Sequence, residues 1–116
     1  MNQERNIKAY KDYFLKFIKT LRPEEARKIF YVLDMLKTND RVSAKFVKHL
    51  KEGLYELRAE CNGNIFRVFF IFDADNIVVL FHGFQKKTQK TPTKEINQVL
   101  KLKKEYEESR LSTDGH

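Results

Sequence analysis

Long apolar runs are missing from this sequence. No stretch reaches the roughly 20 apolar residues that a membrane helix needs. The opening segment "MNQERNIKAY" carries charge where a signal peptide would be apolar. Cysteine is almost absent. Cys61 stands alone, which excludes an internal disulfide, and no Cys/His cluster has the spacing of a metal site. There is no P-loop, no GxGxxG and no usable Ser-His-Asp order, so the familiar nucleotide-cofactor and hydrolase signatures are excluded. Repeats, linkers and low-complexity segments are missing too. These absences set the expectation of one domain over residues 1–116 with a frayed tail at 111–116. They also favour a cytoplasmic location and no metal or cofactor.

What the chain does have is apolar bulk and positive charge. Hydrophobic residues make up 41% of it, and 10 of its 116 residues are Phe, which is too apolar for disorder and enough for one modest core. The formal charge is +7, and a surface of that sign draws polyanions: nucleic acid, anionic lipid or an acidic protein.

The apolar period changes along the chain. Tyr10, Tyr13, Phe14, Phe17, Ile18 and Leu21 step by three and four, as do Ala26, Ile29, Phe30, Leu33 and Leu36 after "RPEE". Residues 10–37 therefore read as a helical hairpin, with Pro23, Glu24 and Glu25 suited to a helix start. The preceding "RNIKA" is either a brief edge strand or a first helical turn, and "VSAKFVKHL" holds at most one short helical turn. From there the period is two. Residues 54–60, 65–72 and 77–84 read as three strands joined by short turns, an antiparallel meander. "PTKEINQVLKLKKEYEESR" is a final helix with a narrow apolar face. The fold class is α+β: a helical hairpin packed on a small curved antiparallel sheet, followed by a C-terminal helix.

Two features stand out against that frame. Arg67 lies between Phe66 and Val68 in the most apolar strand, where an unpaired charge would cost several kcal/mol. Either it forms an ion pair with Glu56 or Glu60 on the next strand, or it is an anion clamp, with Arg58 as its second half. The other feature is "LFHGFQKKTQKTP". Seven lysines against one glutamate run from Gln85 to Lys104, directly off the last strand. A solvated surface is the ordinary reading of such a run. A phosphate site is the other, built from Lys86, Lys87, Lys90 and Lys94, the hydroxyls of Thr88 and Thr91, a helix N-terminus near Pro92, and Phe84 as a ring for a base. His82 reads as a core or near-core histidine, and Asp73 and Asp75 as turn formers.

In order, these residues resemble the RelE/ParE toxin superfamily, and within it the phage-derived HigB-type branch. The likeness runs over residues 49–96. It is carried by Gly53, Leu54, Tyr55, Glu56, Leu57 and Arg58; by Arg67 and Val68; and by Leu80, Phe84, Lys86, Lys87, Thr88, Lys90, Thr91, Pro92, Glu95 and Ile96. The resemblance implies the toxin of a type II toxin–antitoxin system that acts at the ribosome and cuts mRNA there. It also implies neutralisation by a small helix-turn-helix antitoxin of HigA type. The catalytic tyrosine or histidine that RelE-like members place past the last strand has no clear counterpart, since Tyr106 falls deep in the final helix.

RNA cleavage by the 2′-oxygen needs two proton transfers and stabilisation of the phosphorane charge. Arg58 and Arg67 suit the charge but not the proton transfers, because a guanidinium stays protonated. Lys86 or Lys87, among other cations, can have its pKa depressed and serve as acid or base. The expected catalytic set is therefore Arg58, Arg67, Lys86 and Lys87, with Phe84, Thr88, Lys90, Thr91 and Lys94 binding RNA, in a metal-independent endoribonuclease that relies on the ribosome to orient its substrate. A gyrase-binding toxin of ParE type and an inactive basic RNA-binding module are the alternatives.

Overall fold

Among the described residues, five strands form one mixed sheet in the order β1-β5-β4-β3-β2. The structure is a computed structural model, and it describes residues 4–74, 76–87 and 90–114. The strands are β1 (Asn6–Ala9), β2 (Val47–Lys51), β3 (Leu54–Cys61), β4 (Asn64–Asp73) and β5 (Ile77–Lys86). Helices α1 (Tyr13–Lys19) and α2 (Pro23–Thr38) lie between β1 and β2, and α3 (Thr93–Asp114) follows β5. Strands β2 to β5 form an antiparallel meander, while β1 runs parallel to β5, from Asn6 opposite Ile77 to Ala9 opposite Leu80.

Three expectations are corrected. The sheet is mixed rather than antiparallel, because "NIKA" is an edge strand along β5. The hairpin does not begin at Tyr10. Tyr10 N–H still bonds to Leu80 O, and Lys11 takes a left-handed φ of 55°, so α1 starts only at Tyr13 and is seven residues long. The segment "VSAKFVKHL" makes the one helical turn expected, from Ser43, and its last four residues open β2, a strand the sequence does not announce. The final helix runs to Asp114, past Arg110 into the stretch the sequence suggests is frayed.

Local chemistry explains the elements. Pro23 opens α2, and Glu25 accepts a hydrogen bond from Arg22 N–H at 2.9 Å, closing the first turn. Glu25 also accepts from Asn64 Nδ2 at 3.3 Å, tying the helix start to the β3–β4 turn. That turn is Asn62-Gly63, and β2–β3 turns at Glu52-Gly53. In both, the two central residues have positive φ, the geometry that matches the right-handed twist of a two-residue hairpin.

Both faces of the sheet are covered. Phe66, Val68 and Phe70 face α1 and α2, packing with Phe14, Ile29, Val32, Leu33 and Leu36. Phe69 and Ile71 face the other way, with Leu54, Val79, Phe81 and Phe84, and are covered by Val99, Leu102 and Tyr106 of α3. The β4–β5 register slips between Val68 and Phe70, so that Phe81 and His82 both oppose Phe69. This bulge puts His82 on the α3 face, although strict alternation from Leu80 assigns it to the α1/α2 face.

Candidate functional site

Alternation along β3 sends Glu56 and Arg58 to the α3 face, and the β3–β4 register sets Arg58 directly opposite Arg67. Two guanidiniums side by side repel unless something negative lies between them. Glu56 does, and it is only 1% exposed. Its Oε1 lies 3.4 Å from Arg58 Nε and 3.1 Å from Arg67 Nε, and its Oε2 accepts a hydrogen bond from Thr91 Oγ1 at 2.6 Å. The Arg67 contact is ionic: its Nε–H is not aimed at the carboxylate, and the side chain's hydrogen bond runs from Nη1 to Phe66 O at 3.2 Å. Burial pulls the Arg67 guanidinium below its ordinary pKa and Glu56 opposes this, but a guanidinium still stays charged at neutral pH. The ion pair and the cationic pair expected as alternatives therefore coexist in one arrangement.

Lys86 closes the group from β5, where it pairs with Ile65. Burial lowers its pKa first and Arg67 next; Glu56 works against them, while Arg58 and Lys48 add to the lowering. Lys48 comes from β2, opposite Glu56. Four cations thus surround one sequestered carboxylate, leaving an excess of positive charge that an anion can neutralise.

The structure sorts the predicted residues. Arg58, Arg67, Lys86 and Thr91 come together, with the Thr91 hydroxyl occupied by Glu56 rather than offered to a ligand. Lys87 and Lys90 are exposed on the segment after β5, and Lys94 is exposed in the first turn of α3. Thr88 lies outside the described residues. Phe84 is corrected: it is 8% exposed, with its ring 5.4 Å from that of Phe69, so it belongs to the core and presents no face to a base. Tyr106 is remote from the cluster. Its hydroxyl donates to Asp73, which also sits 2.7 Å from Arg110 Nη1. Asp73 is six residues along β4 from Arg67, roughly 20 Å at about 3.3 Å per residue.

Sequence reasoning missed two things. The first is that Glu56, expected with Glu60 only as one of two candidate partners of Arg67, lies between both arginines, which needs the cross-strand register to be seen. The second is a His/Glu pair. His82 is buried, its Nε2 is 3.4 Å from Glu95 Oε1, and neither ring nitrogen makes a hydrogen bond. Its ring packs 5.1 Å from Phe69. Burial pushes the imidazole below its ordinary pKa, against the pull of Glu95. Among the described residues, no group of three His, Cys, Asp or Glu side chains is placed to hold a metal ion, and no helix is long and apolar enough to cross a membrane.

Comparison with known proteins gives a consistent picture. The family described as phage-derived Gp49-like protein matches residues 16–104. Two solved structures share the fold. The toxin–antitoxin complex RelBE2 of Mycobacterium tuberculosis aligns with a TM-score of 0.54 at 15% identity, over 74% of this chain and 95% of that one. The archaeal RelE–RelB complex of Pyrococcus horikoshii aligns with a TM-score of 0.52 at 17% identity, over 76% of this chain and 99% of that one. No curated protein sequence matches the chain.

Proposed function

Since the chain belongs to the phage-derived Gp49-like family and has the fold of RelE-type toxins, we propose that it is the toxin of a type II toxin–antitoxin pair. In this reading it is an endoribonuclease that cuts mRNA on the ribosome, in the cytoplasm, until a cognate helix-turn-helix antitoxin of HigA type restrains it. The observation that carries the reading is the cationic cluster on the α3 face. Arg58 and Arg67 are held by a carboxylate with little access to solvent, and Lys86 beside them has a depressed pKa.

The chemistry follows from that arrangement. A scissile phosphate docks against the two guanidiniums. The 2′-oxygen attacks phosphorus as neutral Lys86 accepts its proton, the P–O5′ bond breaks as the same lysine returns that proton to O5′, and the products are a 2′,3′-cyclic phosphate and a 5′-hydroxyl. The arginines stabilise the charge that grows on the phosphorane oxygens. Lys86 is the proton-transfer group: a lowered pKa makes its neutral form more available near neutral pH than that of an ordinary lysine. Lys87, exposed just past the end of β5, joins Lys90 and Lys94 in holding the flanking phosphates. Glu56 keeps the guanidiniums in place and takes no part in the proton transfers. A site that relies on charge more than on matched acid–base groups is slow unless its substrate is oriented for it, which the ribosome would do.

The test is primer extension on mRNA after induction of the protein, alongside growth. Cuts within translated codons are expected, relieved by co-expression of a cognate helix-turn-helix antitoxin. Arg58→Ala and Lys86→Ala should lose both the cuts and the growth arrest while melting near the parent. Arrest with intact mRNA, or full toxicity of Lys86→Ala, would overturn the proposal.

A further inference from the structure

Arg58 and Arg67 have a second side. Away from Lys86 they border an open cleft of about 540 Å³, whose other cations are Lys28 from α2 and Lys45 from the turn before β2. The cleft exists because β2 is shorter than β3. Pairing between them ends where Arg58 N–H donates to Phe46 O at 2.7 Å, and beyond that point β3 has an open edge as far as Cys61. Phe46 forms part of the wall and is only partly buried. Both lysines rest on rings: Lys45 Nζ lies 5.4 Å from the centre of Phe46, and Lys28 Nζ lies 5.4 Å from that of Tyr31. Among the described residues, the lining has one carboxylate, Glu60, against four cations.

We propose that this cleft is a nucleotide subsite, holding the residue next to the scissile phosphate of a single-stranded RNA. The proposal rests on the nuclease reading above and extends it. The backbone passes from Arg58 and Arg67 into the cleft, where Lys28 and Lys45 take the neighbouring phosphate. Lys45 leaves the Phe46 ring to do so, and the uncovered ring stacks the base. Phe46 thus supplies what the sequence assigns to Phe84, whose ring is buried. Stacking on an aromatic face accepts any base, so the subsite adds affinity and registers the strand without reading sequence. The cation excess fits a polyanion. A peptide adding as a strand would find only three residues of free β3 edge, too few for a stable ladder.

The experiment measures fluorescence anisotropy of a 5′-labelled, fully 2′-O-methylated nine-nucleotide RNA, which cannot be cleaved through its 2′-oxygens, over a range of salt. Lys28→Ala/Lys45→Ala should weaken binding and flatten the dependence of log affinity on log salt by about 0.7 for each phosphate no longer neutralised. Phe46→Leu, which keeps an apolar side chain against the core, should weaken binding roughly tenfold with an unchanged slope. Arg58→Ala and Lys86→Ala serve as the comparison. If these weaken binding while the cleft variants bind like the parent, the subsite is wrong and the nuclease reading stands; the same result would follow if a protein partner, not RNA, covers the cleft. If the parent shows no salt-dependent affinity at all, the nuclease reading fails and the subsite fails with it.

Discussion

Glu56 and Arg67 are partners, yet removing one should not equal removing the other. Without Glu56, two guanidiniums face each other on adjacent strands with no carboxylate between them, and Thr91 loses its acceptor. Without Arg67, Glu56 still has Arg58 and Thr91. Truncating one member of a buried ion pair typically costs about 3–5 kcal/mol when the other is left unpaired. Glu56→Ala should approach that cost, and Arg67→Ala should fall well short of it. Chemical denaturation of the two variants beside the parent checks the order, and equal losses would mean that Arg58 does not share the carboxylate in solution. Arg67 is legible in the sequence because a lone charge in an apolar strand is anomalous by itself. Glu56 is legible only as one of two candidate partners, because its service to both arginines appears only once β3 and β4 are in register. Phe84 misleads for the converse reason: a ring beside a lysine run looks available until the strand is seen to continue to Lys86 with its α3 face covered.

The elements that the sequence makes plain are those whose pattern is internal. Helix α2 has its own period and caps, and the meander has alternation and turn residues with positive φ. Strands β1 and β2 are not plain, because "NIKA" and "VKHLK" are short, polar and half exposed, and only a neighbour's edge defines them. How close α1 packs is equally invisible, and Gly83 shows why. A Cβ there would lie 2.4 Å from Phe17 Cδ2 and 2.9 Å from Arg67 O, so β5 needs glycine for space rather than for a turn. Gly83→Ala should destabilise by about 1–3 kcal/mol, the usual cost of overpacking. Because one of the crowding atoms is backbone, pairing it with Phe17→Ala should restore little. Melting temperatures of the single and double variants decide this; a full rescue would place the whole clash in the Phe17 ring.

On the scale of the molecule, α3 is what separates this chain from a bare sheet with one open face. The helix and the segment leading into it are fastened at intervals. Thr91 bonds to Glu56, Glu95 faces His82, Glu105 accepts from Tyr10 at 3.0 Å and pairs with Lys11 at 3.3 Å, and Tyr106 and Arg110 hold Asp73. Of these, His82–Glu95 is the one that contains a group whose ordinary pKa lies near neutral pH. The folded imidazole has a pKa below the ordinary 6.5, because burial disfavours its charge more than Glu95 restores it. Between the folded pKa and 6.5, the unfolded chain therefore binds a proton that the folded chain refuses. Unfolding free energy must rise with pH across that window and fall as pH drops through it, with a slope of at most about 1.4 kcal/mol per pH unit for one group. The parent should lose stability as pH falls from 7 to 5. His82→Phe, which keeps a ring against Phe69 and has nothing to protonate, should lose less over the same range. Denaturant midpoints at half-unit pH steps give the comparison. Parallel curves would mean that His82 titrates alike in the folded and unfolded chain, and that the α3 seam is not the acid-sensitive part of the fold.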